Sequence, residues 1–584
     1  MRVQSGSARI TRVRTTAMAF AITSLLAAAP LALAAGKPWV VQAPATSDGL
    51  VIKEGALPVA AAGKQLTMTV DGMTTPIAPG SYRGKVVLTP TDDVVVTYKQ
   101  LDPHQFRSAI YVNDGRYVAG KSVAAAVQGG SVDDQGARGV RIDSNEARFN
   151  GVVVTGDSKY TLDAPVIDLV GNGGNDFAGY GAAIMSSGNA EVTVNRPKIR
   201  THGAIRTAIF VGGKSTMHVN DADIEVYNGT LPADYKFTIE VGKMMEVPWM
   251  LGLHGNVRAT NLVDHGTVYY TRAHIKAQGW GALSTDDAAV TRMYVKDSLI
   301  EVIDSGYGAY SIGDSIDSFS NSTLNVADVG LIMAGQGSGV FTDGSVVNSG
   351  RYGVMMHAGN GAGTLTVDKG SVINSRSTAI EAKGRGGQVI LDHAQVNAGN
   401  GIVLQAMEND DPFMKKMMAG GPPPGPIVGE QGPEGATPEP PPHPDVDVLA
   451  NGMKLTGDFI NTRTKQGGLN LELRDSSLVG AVSTGTQAAL GGQEPTDKTY
   501  WQIGHVINTF APTPEANGAT VKVGEGSRWV VTKTSYLTGL DLAKGSEVVA
   551  APGYKLSLSV DGKVQALKPG HYQGKLVVDV QALN

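Results

Sequence analysis

Three aspartates offer the first candidate chemistry. Asp286 and Asp287 close one short apolar segment, and Asp314 closes the next. On adjacent turns of a repeating fold they would lie within several ångströms of each other, where two carboxyls can divide acid and base roles on a glycosidic bond. Aspartate is also a frequent turn residue, so the same positions suit plain turns. A second set joins Tyr310, His357 and Glu381 on one sheet; together they could move a proton, or they could simply be solvated surface. A third set, expected to touch ligand, comprises Met244, Met245, Glu246 and Trp249 of an irregular segment, with Tyr310 and Met355 opposite.

Other chemistries are excluded by what is missing. The chain has no cysteine, which removes disulfide frameworks, thiolate zinc sites and cysteine nucleophiles. Methionine pairs with His357 would be soft copper ligands, but no spacing enforces that geometry, so neither a metal nor a cofactor is expected. A net charge of −5 with mixed signs leaves no basic stripe for nucleic acid. Asn261-Leu262-Val263-Asp264-His265 is similar to the W-I-D-H segment of pectate lyases. The tryptophan, the clustered calcium aspartates and the supporting arginine motif are absent, as is the polygalacturonase set of N-T-D, D-D, G-H-G and R-I-K.

What positions these residues is a repeat. Gly281-Ala282-Leu283-Ser284, Gly308-Ala309-Tyr310-Ser311, Gly330-Leu331-Ile332-Met333, Gly353-Val354-Met355-Met356, Ala379-Ile380-Glu381-Ala382 and Gly401-Ile402-Val403-Leu404 recur at steps of 22 to 27 residues. Gly181-Ala182-Ala183-Ile184 and Thr207-Ala208-Ile209-Phe210 are earlier copies. One such step holds three short strands and their bends, one turn of a parallel β-helix. Strands alternate their faces, and the second and fourth positions of each copy are expected inside. Leu283, Tyr310, Ile332 and Met355 then form an outward apolar stripe of a kind soluble proteins rarely leave bare. Trp280, Tyr307 and Tyr352, just before the strand glycines, are expected as an internal stack. Gly344-Ser345-Val346-Val347-Asn348-Ser349 and Gly370-Ser371-Val372-Ile373-Asn374-Ser375 repeat one turn apart, so Asn348 and Asn374 are expected to form a ladder. Leucine-rich repeats lack their frame here, and propeller blades are longer. Glycine, 75 of 584 residues, is close to twice the usual ~7% and suits many tight turns.

Arg2, Arg9, Arg12 and Arg14 precede an apolar stretch to Leu33, and Ala32-Leu33-Ala34 reads as a cleavage site. The expected organisation is a signal peptide at 1–34, an N-terminal β module at 35–101 and a parallel β-helix at 102–542. Insertions fall at 227–253 and 407–446, the second rich in proline and glycine. A C-terminal β module at 543–584 is related to 55–88: Gly63-Lys64-Gln65-Leu66-Thr67-Met68-Thr69-Val70-Asp71-Gly72 pairs with Gly553-Tyr554-Lys555-Leu556-Ser557-Leu558-Ser559-Val560-Asp561-Gly562. The insertions are expected to fold back over the apolar stripe, as a shield or as the roof of a groove.

Gly242-Lys243-Met244-Met245-Glu246 and Gly279-Trp280-Gly281-Ala282-Leu283-Ser284-Thr285-Asp286 resemble the G-x-M-M-E and G-W-G-A-L-S-T-D segments of a group of exported bacterial and fungal β-helix proteins with the pectate-lyase-like fold. The resemblance covers about Tyr180 to His357. It implies the fold and a role for the first insertion, and carries over no catalytic residue.

The fold class read from sequence is therefore all-β, a right-handed parallel β-helix with β-rich modules at both ends. The expected function is an extracytoplasmic protein, secreted or periplasmic, that engages an extracellular polysaccharide or amphiphilic ligand along its side wall. If it is an enzyme, it is a polysaccharide hydrolase or lyase. The alternative is a structural, adhesin-like surface protein resembling an autotransporter passenger without its barrel. No transmembrane helix is expected, and the oligomeric state is left open.

Overall fold

The computed structural model describes residues 38–96, 103–236, 250–286, 289–357, 363–384, 386–412, 415, 445–464, 467–513 and 517–583. The described chain is mostly strand with very little helix, and most strands gather into three long sheets of 15, 18 and 16 strands. From Phe149 to Met407 it visits the sheets in fixed rotation. Each strand but Gln395–Ala398, which ends its sheet, pairs in parallel with the strand three places later, as when Tyr352–His357 meets Ile380–Lys383. We call the sheet that contains these two strands the first; Thr364–Asp368 belongs to the second and Val372–Ser375 to the third.

Alternation drives this arrangement. Second-sheet strands such as Glu191–Asn195, Thr216–Asn220 and Thr267–Thr271 bury every other residue and expose the rest. Their inward side chains join one cluster running from Ala109 to Val578. The corner between the second and third sheets is a single left-handed residue on successive turns: Ala164, Arg196, Asp221, Arg272, Asp297, Asn321, Asp343, Lys369 and His393 have φ between 47° and 55°. That conformation costs an L-residue roughly 1 kcal/mol or more. It recurs because each corner is held by its neighbours, as where the Asn321 amide donates to Asp297 at 2.7 Å. Just inside the corner, buried serines hand hydrogen bonds along the stack: Ser345 Oγ accepts from the Ser322 amide, and Ser322 Oγ from the Ser298 amide.

The asparagine ladder is present and longer than expected. Asn348 donates to Asn325, Asn374 to Asn348 and Asn397 to Asn374, at 2.8–2.9 Å, on the outer face of the third sheet. The stack is also nailed from within by Arg206, wholly buried, whose guanidinium donates to the carbonyls of Glu146, Phe149, Val170, Gly171 and Gly181.

The two end modules match over a longer span than 55–88. Trp39-Val40-Val41 aligns with Trp529-Val530-Val531 at the same offset of 490. The strand Trp39–Val41 pairs in parallel with Pro58–Ala60 as Arg528–Val531 does with Glu547–Ala550. Ala45–Ile52 and Ser535–Leu542 even share a register shift before the equivalent glycines, Gly49 and Gly539.

Two substitutions separate inner from outer support. Arg206→Met strands five carbonyls, three of them in fully buried bonds, and should lower unfolding stability by about 3–5 kcal/mol. Asn374→Ala removes only exposed amide bonds and should cost about 1 kcal/mol. Urea denaturation followed by circular dichroism measures both.

Candidate functional site

The outer face of the first sheet is where the chemistry-bearing residues meet. Strict register builds columns there. Tyr310, Ile332, Met355, Glu381 and Gln405 succeed one another on five strands. His357, Lys383 and Met407 form the next column. So the structure brings together the expected Tyr310, His357, Glu381 and Met355. The Tyr310 and His357 rings lie 6.3 Å apart.

Two expectations about this face are corrected. Leu283 is not in the outward column: it pairs with Ala309 and belongs to the interior cluster, and Ser284 takes the outward place beside Tyr310. Trp280, Tyr307 and Tyr352 are not an internal stack. They lie outside with Leu251, Leu253, Val329, Ile332 and Met355 in a separate apolar cluster. The cause is the glycine at each strand start. Tyr307 lies in the outer cluster and Ala309, two residues on, in the interior one, so the alternation of faces slips by one residue at Gly308.

This wall is roofed. The turn Met250–Gly252 of the first insertion, residues 408–411 of the second, and a segment around Tyr500–Gln502 lie over it. Arg351 donates to the carbonyls of Gly252 and Ile503, both at 2.6 Å, so one guanidinium holds two parts of the roof. Tyr352 Oη donates to the same Ile503 carbonyl at 2.8 Å. Asp411 accepts from the Leu251 amide and Asp410 from the Gly504 amide, each at 2.7 Å. Asp410 also meets the Lys383 ammonium at 2.7 Å, with Lys383 only 1% exposed.

Beneath this roof Glu381 is fully buried, and neither carboxylate oxygen has a hydrogen-bond partner. Both ring nitrogens of His357 are equally without one. Burial pushes the Glu381 carboxyl up to about 8, against the pull of Lys383 and with Asp410 adding to the rise. Burial, then the nearby Lys383, depresses His357 to about 4. At neutral pH the site therefore holds a neutral carboxyl, a neutral imidazole and a Lys383–Asp410 ion pair. A carboxyl kept neutral by burial near a second one that is paired with a lysine is an arrangement by which enzymes divide acid and base roles. Gly504 is required at its position: a Cβ there would stand 2.5 Å from Tyr352 Oη and 2.6 Å from Glu381 Oε2.

Of the three expected aspartates, Asp286 and Asp314 stand in different settings. Asp286 is bound to Arg258, which also holds Asp176 at 2.7 Å. Asp314 is exposed in the turn after Tyr307–Ile312. Asp287, Met244, Met245, Glu246 and Trp249 lie outside the described residues. Sequence reasoning missed Lys383, Asp410, Arg351, Tyr352 and the third roof segment. Lys383 was within reach, because it stands two residues after Glu381 and strand alternation puts both on one face. Asp410 was not, because its place depends on how an irregular segment folds back.

Among the described residues, no group of three or more His, Asp or Glu side chains gathers as metal ligands. No described helix is long and apolar enough to cross a membrane. No protein-family model, curated protein or solved structure matches the chain.

The raised Glu381 carboxyl has a thermodynamic signature. Folding keeps it neutral, so the stability it contributes is complete below the ordinary value of 4.5 and is lost as pH rises towards about 8. Relative to Glu381→Gln, the wild type should lose about 1.4 kcal/mol per pH unit across that window. Parallel slopes of denaturation free energy against pH for the two proteins would show that Glu381 titrates normally.

Proposed function

We propose that the chain is an exported right-handed parallel β-helix that engages a polysaccharide along the roofed wall of its first sheet and cleaves it there. Glu381 is the proton donor. Asp410, oriented by Lys383 and the Gly504 amide, is the second carboxylate. The observation that carries this reading is Glu381 itself: a carboxyl fully buried with both oxygens unpaired costs the fold several kcal/mol if ionised, and a neutral one is retained where a proton is to be given. His357 and Tyr310 flank the donor, and the apolar cluster of Ile332, Met355 and Tyr352 adjoins it. Polar and apolar halves side by side suit a ligand with faces of both kinds, such as a sugar ring. Entry requires the roof to part at the Arg351 and Asp410 contacts.

Export is supported by the arginine-rich start, the apolar stretch and Ala32-Leu33-Ala34. The helical winding is supported by the fixed rotation of strands among three parallel sheets. The resemblance to exported β-helix proteins agrees with both.

A second reading is a surface-binding, adhesin-like protein. It is favoured by an aromatic column on the second sheet, where His218, Tyr269 and Tyr294 stack at 4.8 and 5.0 Å with nearly parallel rings and Tyr269 stays exposed.

A cleavage screen of the exported chain on acidic and neutral polysaccharides tests the first reading. Glu381→Gln should lower turnover at least a hundredfold, with little change in melting temperature below pH 4.5, where both side chains are neutral, while Asp314→Asn should leave turnover unchanged. Wild-type cleavage that survives Glu381→Gln would remove Glu381 from the chemistry. Glycan binding without cleavage would leave the second reading.

A further inference from the structure

The duplicated end modules expose opposite surfaces, and each shows what the other's bare surface is built to meet. In the C-terminal copy the strand Arg528–Val531 pairs in parallel with Ser477–Gly480, and Ser535–Leu542 pairs in parallel with Ala519–Val523. The leading edge of that module is thus laid on a preceding turn of strands. Trp529 is fully buried, and its indole N–H donates to the Gly480 carbonyl of that turn at 3.0 Å.

In the N-terminal copy the equivalent strands have the internal partners only. Among the described residues, Trp39–Val41 pairs with Pro58–Ala60, and Ala45–Ile52 with Gly80–Asp92; no strand lies on their leading edge. Trp39, the counterpart of Trp529, packs instead against the module's own core of Val41, Leu50 and Ile52. Val40 and Val51 on these strands are 50% and 56% exposed.

The trailing side shows the converse. In the N-terminal copy Met73–Thr75 abuts Arg141–Ser144, and Thr74 is fully buried. In the C-terminal copy the equivalent strand Lys563–Gln565 pairs with Tyr554–Val560, and Val564 is 79% exposed.

We propose that copies of this chain join head to tail, the leading edge of Trp39–Val41 and Ala45–Ile52 in one copy lying against the trailing strand Lys563–Gln565 of another. A trailing strand of this module is built to meet the first strand of a turn, and the leading edge is such a strand; both bare surfaces belong to the same chain. Open strand edges are templates for added strands. Because the two surfaces differ, the contact is not self-complementary and does not close on itself in a pair.

Sedimentation velocity on the exported, processed chain over rising concentration tests this. One variant blocks the leading edge (Val40→Lys with Val51→Lys) and another the trailing strand (Val564→Lys). The wild type should grow through two, three and more copies. Each blocked variant alone should stay a single copy with an unchanged melting temperature, and their equimolar mixture should stop at two copies. A wild type that remains a single copy at all concentrations, or that stops at a closed pair, overturns the proposal. So do blocked variants that assemble as the wild type does.

Discussion

In-register parallel pairing is the constraint on which the rest of this molecule depends. Each strand lies on its counterpart one turn away, ~4.8 Å distant, so a side chain cannot choose its neighbours independently. Every position becomes a column: serines at the inner corner, asparagines outside the third sheet, aromatics outside the second, and the Tyr310–Gln405 series outside the first. A column of like residues stabilises itself where the side chains can bond or stack along the axis. A column that changes character along its length marks a place with a different task. The first-sheet column passes from Tyr310 through Ile332 and Met355 to Glu381 and Gln405, from apolar to ionisable within two turns.

That transition explains the roof. The apolar stretch needs cover, and Leu251, Leu253 and Ile503 supply it. The cover then seals the carboxyl next to the apolar stretch and takes it out of water. Arg351 and the Lys383–Asp410 pair tie the roof at its two sides, and these charged contacts are set between apolar surfaces on a wall that is otherwise rigid. Desolvation raises the Glu381 carboxyl and lowers the His357 imidazole by the same physical cause, leaving both neutral in the same range of pH. A donor and an acceptor are thereby poised side by side without either carrying charge.

Much of the fold was legible because its period was. Six copies of a small-residue start and an apolar strand between Gly281 and Leu404 gave the turn length, and the near-verbatim Asn348 and Asn374 segments gave the ladder. The end modules were visible through their constant offset. What failed did so for local reasons. The phase of Leu283 and of the tyrosines before Gly308 and Gly353 was misjudged because glycine lets a strand slip one residue, and strict alternation has no term for that. The aspartates near 286 and 314 drew attention as carboxylates, but Arg258 claims Asp286 and solvent claims Asp314. Tyr310, His357 and Glu381 were placed together on one sheet, whereas the burial of Glu381 and His357 was not foreseen, since it depends on segments far apart along the chain, such as Asp411 and Leu251.

The central claim is that the wall holds a neutral carboxylic acid at physiological pH. Infrared difference spectroscopy between the wild type and Glu381→Gln reads this directly, because other protonated carboxyls, Asp317 of the interior among them, cancel in the subtraction. The expected result is a protonated-carboxyl band at pH 7 that is present only in the wild type and gives way to a carboxylate band at about pH 8. A difference spectrum showing only a carboxylate for Glu381 at pH 7 would contradict it.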